Sequence, residues 1–258
     1  MELMLSIDIE KCIRCGKCVK ICPSMILGQE KTGGEIRVLA PENCIRCGHC
    51  VAVCPTGAVV HADFPPEKVH AFDYKDYPAA EQMMLLCRAR RSNRAFAEKP
   101  VPEALLSQIV EAAYRAPTAS NAQEVGFTLV TDPAKLRLIT EFTLGVFGKA
   151  LKKMRHPLLR PLVNWTMPDA FRSEPVFERL LREDAQGHDM ILRNAKAVLL
   201  IHTPQASRFG CQDANLAYQN GSLMAECLGV SQFYTGFVCS AIQQDRKSHL
   251  EKMLGIEG

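Results

Sequence analysis

Apolar positions in the first sixty residues come in pieces too short for helices. Leu5-Ser6-Ile7, Ile36-Arg37-Val38-Leu39 and Val59-Val60-His61 are three or four residues each, and Gly33-Gly34 marks a turn. They predict the edge strands of small hairpins. Further on, the apolar period becomes helical. Glu81–Arg88, with Met83, Met84, Leu85 and Leu86, predicts one helix. Leu105, Leu106, Ile109, Val110 and Ala113 form one face of another, with Pro102 in its first turn and Ala116-Pro117 as its stop. Gly126–Thr131 predicts a strand. Lys135–Lys153 predicts a helix broken at Gly145 and Gly148, and Phe177–Leu181 a further helix. Ala195–His202 predicts a buried strand. Gln212–Leu228 predicts a helix with Asn215, Gln219 and Ser222 on one side, Leu216, Leu223, Met224 and Cys227 toward a core, and Gly229 just past its end. Phe233–Phe237 predicts a strand whose Gly236 admits a ligand or a backbone at close range. Asp245–Leu254 predicts a last short helix.

This change of period divides the chain into a small domain (1–63), a turn-rich linker (64–86) and a larger α+β domain (87–258). The linker carries Phe64, Phe72, Tyr74 and Tyr77, and so many rings predict that it lies on the second domain rather than swinging free. A length of 258 residues suits two domains. Hydrophobic content of 47% with 23% charged residues is that of a soluble globular chain. A net charge of only +3 gives no electrostatic case for nucleic acid. There is no basic-then-apolar leader, and no apolar run of the ~18 residues that a membrane span needs. The expectation is a cytoplasmic protein that touches neither membrane nor nucleic acid.

Cysteine spacing changes the picture most. Cys12, Cys15, Cys18 and Cys22-Pro23 form one run, and Cys44, Cys47, Cys50 and Cys54-Pro55 repeat it 32 residues later. Each reads C-x2-C-x2-C-x3-C-P, the spacing of bacterial two-cluster ferredoxins, in which the fourth cysteine serves the other cluster. That crossing gives Cys12, Cys15, Cys18 and Cys54 to one [4Fe–4S] cluster and Cys44, Cys47, Cys50 and Cys22 to the other. A zinc site or a disulfide framework competes with this reading. Zinc needs no third cysteine at the same step and no Cys-Pro, and disulfides do not suit a reducing compartment. Pro23 and Pro55 stop the short helical turns, and Gly16 and Gly48 let each loop approach without a Cβ. A domain this short buries too little to be stable alone, so the clusters must act as its core and removing iron should unfold it. Cys87, Cys211, Cys227 and Cys239 read as small buried hydrophobes.

The second domain opens on Arg90-Arg91-Ser92-Asn93-Arg94-Ala95-Phe96. By itself this is a solvated basic patch or a phosphate site, since guanidinium forks and a hydroxyl suit a phosphate dianion. About twenty residues later comes Arg115-Ala116-Pro117-Thr118-Ala119-Ser120-Asn121-Ala122-Gln123, then the strand at Gly126. R-R-S-x-R-x-F followed by R-A-P-T-A-x-N-x-Q and a strand resembles the nitroreductase family of FMN enzymes. With the cysteine runs in front, the chain resembles the iron–sulfur nitroreductases. The resemblance covers 87–135 and resumes at 190–254. It implies a central sheet flanked by helices, a homodimer, and FMN between subunits. Arg90, Arg91, Ser92 and Arg94 would hold the FMN phosphate and ribityl chain. Pro117, Thr118, Ala119 and Asn121 would lie along the ring, with Asn121 on its polar edge. Thr235 and Gly236 would present backbone near the flavin N5. No catalytic side chain is implied, because the cofactor carries the chemistry. The intervening 136–189 region either shapes a substrate pocket, with Trp165, Phe171 and Phe177 lining it, or packs those rings in the core.

Two departures stand out. The family's N-x-Q-P-W is Asn121-Ala122-Gln123-Glu124-Val125 here. Family chains also continue past the last helix with a strand, a G-Y-P-like segment and basic residues, whereas this sequence stops at Gly258. The first functional reading is a reductase: two clusters deliver a pair of electrons to FMN and on to a nitroaromatic, a quinone or an activated alkene. The donor would be a reduced ferredoxin-like protein or NAD(P)H, the latter without a G-x-G-x-x-G motif. The second is an electron-transfer or redox-sensing module serving a protein partner, and the third a flavin-free relative.

Overall fold

The computed structural model describes residues 4–158, 160–166, 168–245, 247 and 249–256, and at 162, 163, 166 and 168–170 the backbone alone. The predicted domains' outer ends, 1–3 and 257–258, lie outside the described residues, as do 246 and 248 within the last predicted helix. The chain forms two compact units. One is Met1–Ala79 with Thr118–Gln123; the other is Ala80–Pro117 with Glu124–Gly258.

The first unit is built twice over. Strand β1 (Leu5–Ile7) is followed by helix α1 (Lys17–Ile21), β2 (Leu27–Gln29) and β3 (Ile36–Val38). Then come α2 (His49–Ala52) and β4 (Val59–His61). β1 pairs antiparallel with β4 and β2 with β3. The starts of α1 and α2, and of β2 and β4, lie 32 residues apart, the offset of the cysteine runs. Backbone conformation repeats as well: Arg14 and Arg46 have φ of 57° and 52°, and Gly16 and Gly48 both 71°. Strand β2 was not legible because Leu27-Gly28-Gln29 lacks a β-branched residue. Its glycine is there for Leu39, whose Cδ1 would lie 2.6 Å from a Cβ at Gly28. Leu5, Ile26, Leu27, Ile36 and Val59 form a small core together with Cys18 and Cys50. In the linker, Tyr77 packs on Phe72 and Tyr74, with centroids 5.5 and 5.2 Å apart.

The second unit is mainly helical: α3 (Ala80–Ala89), α4 (Glu103–Tyr114), α5 (Pro133–Arg155), α6 (Arg160–Thr166), α7 (Glu174–Ala185), α8 (Gly210–Cys227), α9 (Gly236–Gln244) and α10 (His249–Leu254). The expected central sheet is an antiparallel pair among the described residues, β5 (Gly126–Val130) and β6 (Val198–His202). Strand β6 is shorter than expected and half-buried beyond Val198. The core gathers Ile139, Leu144 and Phe147 of α5, Leu180 of α7, Val238 and Ala241 of α9, and Leu250 and Leu254 of α10.

Three expectations need correction. Helix α5 is continuous for 23 residues rather than broken at its glycines. Its apolar face holds it down on both sides of them, while Arg155 bonds Glu174 and Glu178 and Arg137 grips Asp184. Helix α8 buries Asp213, Ala217, Gly221, Ser222 and Ala225, leaving Leu216 and Cys227 exposed. Its small residues let α4 approach, so close fit outranks bulk in choosing the face. Phe233–Phe237 is not a strand: Gly236 starts α9, and Thr235 precedes its first turn. Three β-favouring rings there pack as side chains rather than pair as backbone; Phe233 meets Phe96 and Tyr234 meets Tyr218.

Candidate functional site

The two cysteine sets each surround a cavity. Cys12, Cys15, Cys18 and Cys54 line one, with Arg14, Gly16 and Lys17. Cys22, Cys44, Cys47 and Cys50 line the other, with Gly48, His49 and His61. The structure therefore brings together the same two quartets that the crossing rule names. Each run supplies three thiols from a loop that turns at a residue with positive φ, and the following proline-flanked cysteine faces the other cavity. Among the described residues, no three His, Cys, Asp or Glu side chains converge closely enough for a single metal ion; the sulfurs ring a space instead. Soft thiols in fours around a cavity fit an iron–sulfur cubane.

The thiols differ in their surroundings. Burial pushes Cys50 up to about 11 and raises Cys18 as well. Burial also works on Cys54, but the N–H groups of Thr56, Ala58 and Val59 and the Thr56 hydroxyl outweigh it, and its thiol sits below the ordinary value. Ala58 donates its N–H to Cys54 Sγ at 3.2 Å, and Arg46 donates its N–H to Cys44 Sγ at 3.4 Å. His61, only 2% exposed, places Nε2 3.6 Å from Cys44 Sγ. Its Nδ1 accepts the Asp63 N–H at 3.1 Å, so in the neutral ring the proton sits on Nε2. Burial, helped by the Arg46 charge and opposed by the Asp63 carboxylate, holds the imidazole below its ordinary pKa.

The residues expected at a flavin fall in both units. Arg90, Arg91, Ser92 and Arg94 follow α3, and their loop is tied to the segment before α9. Asn93 donates its backbone N–H to Gln232 O at 2.9 Å and its side-chain amide to Ser231 Oγ at 3.0 Å. Gln232 accepts from the Tyr218 hydroxyl at 2.9 Å. Arg94 lies over the Phe233 ring, 5.6 Å from its centroid. Among the described residues no carboxylate pairs with Arg90, Arg91 or Arg94; Arg91 and Arg94 donate only to backbone carbonyls. Unneutralised guanidiniums suit an anionic ligand. Among the described residues Thr235 Oγ1 is buried without a partner, and Gly236 is exposed with open space where a Cβ would be. Pro117 belongs to this second unit, whereas Thr118, Ala119 and Asn121 belong to the first. Asn121 donates its amide hydrogens to Ile45 O at 2.9 Å and Arg46 O at 3.0 Å. Both donors meant for a flavin edge are thus engaged on the second cysteine loop.

Trp165, Phe171 and Phe177 do not share a pocket. Trp165 is 82% exposed, Phe171 carries Arg160 over its ring, and Phe177 stacks on Phe147 at 4.3 Å in the core. Of the four other cysteines, Cys87, Cys211 and Cys227 are exposed and Cys239 half-buried, against the expectation of burial. Sequence reasoning passed over His61, Gln29, Gln232 and Ser231. The repeat carries a signal for the first two, since Gln29 and His61 also lie 32 residues apart; nothing local marks the others.

Comparison with known proteins finds two family models along the chain. A nitroreductase family model matches residues 87–258, and a 4Fe–4S dicluster domain model matches 4–55. A curated NADH dehydrogenase from Thermus thermophilus is 48% identical over 56 residues, 22% of this chain and 27% of that protein. The chain thus spans about a quarter of that relative's length. Two crystal structures of nitroreductases with bound FMN share the fold. The one from Bacteroides fragilis has a TM-score of 0.50 at 21% identity, and the one from Desulfitobacterium hafniense 0.52 at 18%. Each match covers 68% of this chain and 81% of the other. No described helix is long and apolar enough to cross a membrane. With two thirds of its length matched, and a 4Fe–4S dicluster domain in front, the chain belongs to the nitroreductase family.

Proposed function

We propose that this protein is an FMN-dependent oxidoreductase that passes electrons from two [4Fe–4S] clusters to FMN and on to an organic acceptor: a nitroaromatic, a quinone or an activated alkene. The observation that carries the reading is the pair of four-cysteine cavities in one chain with a nitroreductase segment. Cys12, Cys15, Cys18 and Cys54 would hold one cluster, and Cys22, Cys44, Cys47 and Cys50 the other. Arg90, Arg91, Ser92 and Arg94 would hold the FMN phosphate; their free guanidinium charge supports this. The buried Thr235 hydroxyl, without a partner among the described residues, and the open backbone at Gly236 suit a place near the flavin N5, with Pro117, Thr118 and Ala119 as further family positions. A bound flavin supplies two-electron chemistry, and each cluster supplies one electron.

The chain's own residues bind and orient; no side chain need give up a proton. The fused clusters favour a reduced ferredoxin-like donor, although the NADH dehydrogenase likeness keeps NAD(P)H as the alternative. A homodimer is supported by the apolar side chains that α3 and its surroundings leave exposed, among them Met83, Met84, Leu85 and Leu216. A reducing, cytoplasmic compartment suits thiolate-held clusters.

Anaerobic purification with iron, sulfide and flavin counted per chain tests this reading. The expected result is about eight iron and one FMN, as two cubanes and one flavin require, with the flavin bleaching once the clusters are reduced. Eight iron without flavin binding would replace the reductase by a carrier that serves a protein partner.

A further inference from the structure

The internal repeat acts as its own control, because equivalent residues sit in equivalent places and do different things. Gln29 ends β2 and His61 ends β4, 32 residues apart. Gln29 donates its amide to Arg14 O at 2.9 Å and to Gly34 O at 2.8 Å, so it staples its own module. His61 turns to Cys44 Sγ instead, with its donor proton fixed on Nε2 by the Asp63 N–H. The carbonyl equivalent to Arg14 O is Arg46 O, which His61 leaves unstapled. Asn121 takes it, together with Ile45 O, from 75 residues further along the chain. Both carbonyls lie between Cys44 and Cys47, two ligands of one site.

The segment that delivers Asn121 is built for presentation. Ser120, Asn121 and Gln123 all have φ between 52° and 54°, a conformation that costs non-glycine residues energy and persists only where surroundings enforce it. Gln123 donates its N–H to Thr118 Oγ1 at 3.0 Å and its amide to Asn121 Oδ1 at 3.3 Å, which fixes the Asn121 amide. Thr118–Gln123 groups with the cysteine unit, yet it lies within the nitroreductase match.

We propose that the site formed by Cys22, Cys44, Cys47 and Cys50 is the one from which electrons leave the ferredoxin-like unit, with Asn121 as its positioning residue and His61 as the donor that sets its reduction potential. This rests on the reductase reading above. A hydrogen bond to a ligand sulfur stabilises the more negative, reduced cluster and so raises its potential. Backbone donors act on both sites, through Ala58 on Cys54 and Arg46 on Cys44; the buried imidazole acts on one. With clusters and FMN bound, each electron leaving this site would reoxidise the cluster held by Cys22, Cys44, Cys47 and Cys50 and be gained by the flavin, and two such electrons with protons from water would account for its full reduction.

The test uses the full chain, reconstituted anaerobically, with iron and FMN counted first. Chains that take up no iron or no FMN overturn the reductase reading and this inference with it; full occupancy separates the two. Potentials are then followed by EPR in His61→Gln, which carries the side chain of the other repeat. One couple should fall so that its share of electrons drops about tenfold, about 59 mV for a one-electron couple, while the other stays in place. Equal shifts in both couples, or none, overturn the role of His61. In Asn121→Asp, which keeps the shape and loses both donors, flavin bleaching behind cluster reduction should slow about tenfold, the order expected when reacting partners lose alignment. Both potentials and the iron count should hold. Asn121→Ala repeats the measurement should the carboxylate disturb folding. Unchanged bleaching in a fully loaded variant overturns the exit assignment, and a loss of iron in both variants reduces Asn121 to a structural staple.

Discussion

Gly16 and Gly48 occupy the same place in the two halves, with the same φ of 71°, but they do not tolerate the same change. A Cβ at Gly48 would lie 3.0–3.3 Å from three atoms of the Phe64 ring, which stands edge-on to the buried His61 at 5.1 Å. A Cβ at Gly16 would meet only the amide end of Gln29, at 2.9 Å. Left-handed backbone costs an alanine about 1–2 kcal/mol at either position. Gly48→Ala adds a clash with a half-buried ring that already packs on His61, so it should be the more destabilising of the two by about 1 kcal/mol or more. Urea unfolding of the iron-loaded variants measures this, and equal losses would show that Phe64 moves aside freely. The cysteine sets were legible in the sequence because the pattern is local and stated twice. His61 was marked only by its place in the repeat opposite Gln29, because its partner Cys44 lies 17 positions away and nothing local joins the two.

Helices show what periodicity reads well and what it misreads. The face of α4 follows from apolar spacing, while α5 and α8 turn on glycines whose neighbours only the fold reveals. Gly145 in α5 has nothing within 4 Å of where a Cβ would sit among the described residues. Gly145→Ala should therefore stabilise by about 0.5–1 kcal/mol, through lost backbone freedom in the unfolded chain alone. Gly221 in α8 lies against α4, with Ala113 Cβ at 3.3 Å and Ile109 O at 3.4 Å from such a Cβ. Gly221→Ala should destabilise by about 1–3 kcal/mol by pushing two helices apart. Opposite signs in thermal unfolding are the prediction, and a common sign refutes it. Helix α10 depends instead on a carboxylate. Asp245 accepts the His249 N–H at 2.5 Å and faces His249 Nδ1 at 2.6 Å. Desolvation pushes its pKa up, but these bonds and the Lys247 N–H outweigh it and hold it below the ordinary 3.8. A depressed carboxylate contributes its full stability above the unfolded value and loses it as pH falls through the folded one. Amide protection over Leu250–Leu254, corrected for intrinsic exchange, should be level down to about pH 4 and then decline. Asp245→Ala should lower it at every pH; an acid-dependent decline that persists in that variant would place the titrating group elsewhere.

At the scale of the whole chain, the change of apolar period along the sequence gives no sign that Thr118–Gln123 groups with the first unit, since a long-range contact to Ile45 and Arg46 ties it there. The two units differ in what holds them together. The second owns a continuous apolar core, with Ile139, Phe147 and Ala241 all fully shielded from solvent. In the first, Leu5, Ile26, Leu27, Ile36 and Val59 pack around cysteines that line open cavities, and its strands are three residues long. Few apolar side chains and short ladders fall well short of the conformational entropy lost by ordering some eighty residues at about 1–2 kcal/mol each. Bound clusters make up the difference by holding eight side chains at once, as structural metals do in other small domains. Chelation of iron from the full chain should therefore abolish amide protection in β1, β2, β3 and β4 and leave α5, α7 and α9 protected. Hydrogen exchange read by mass spectrometry resolves both regions in one sample. Protection that survives in β1 and β4 after complete iron loss would mean that the apolar residues suffice. Simultaneous loss in α5 would mean that the two units fold as one.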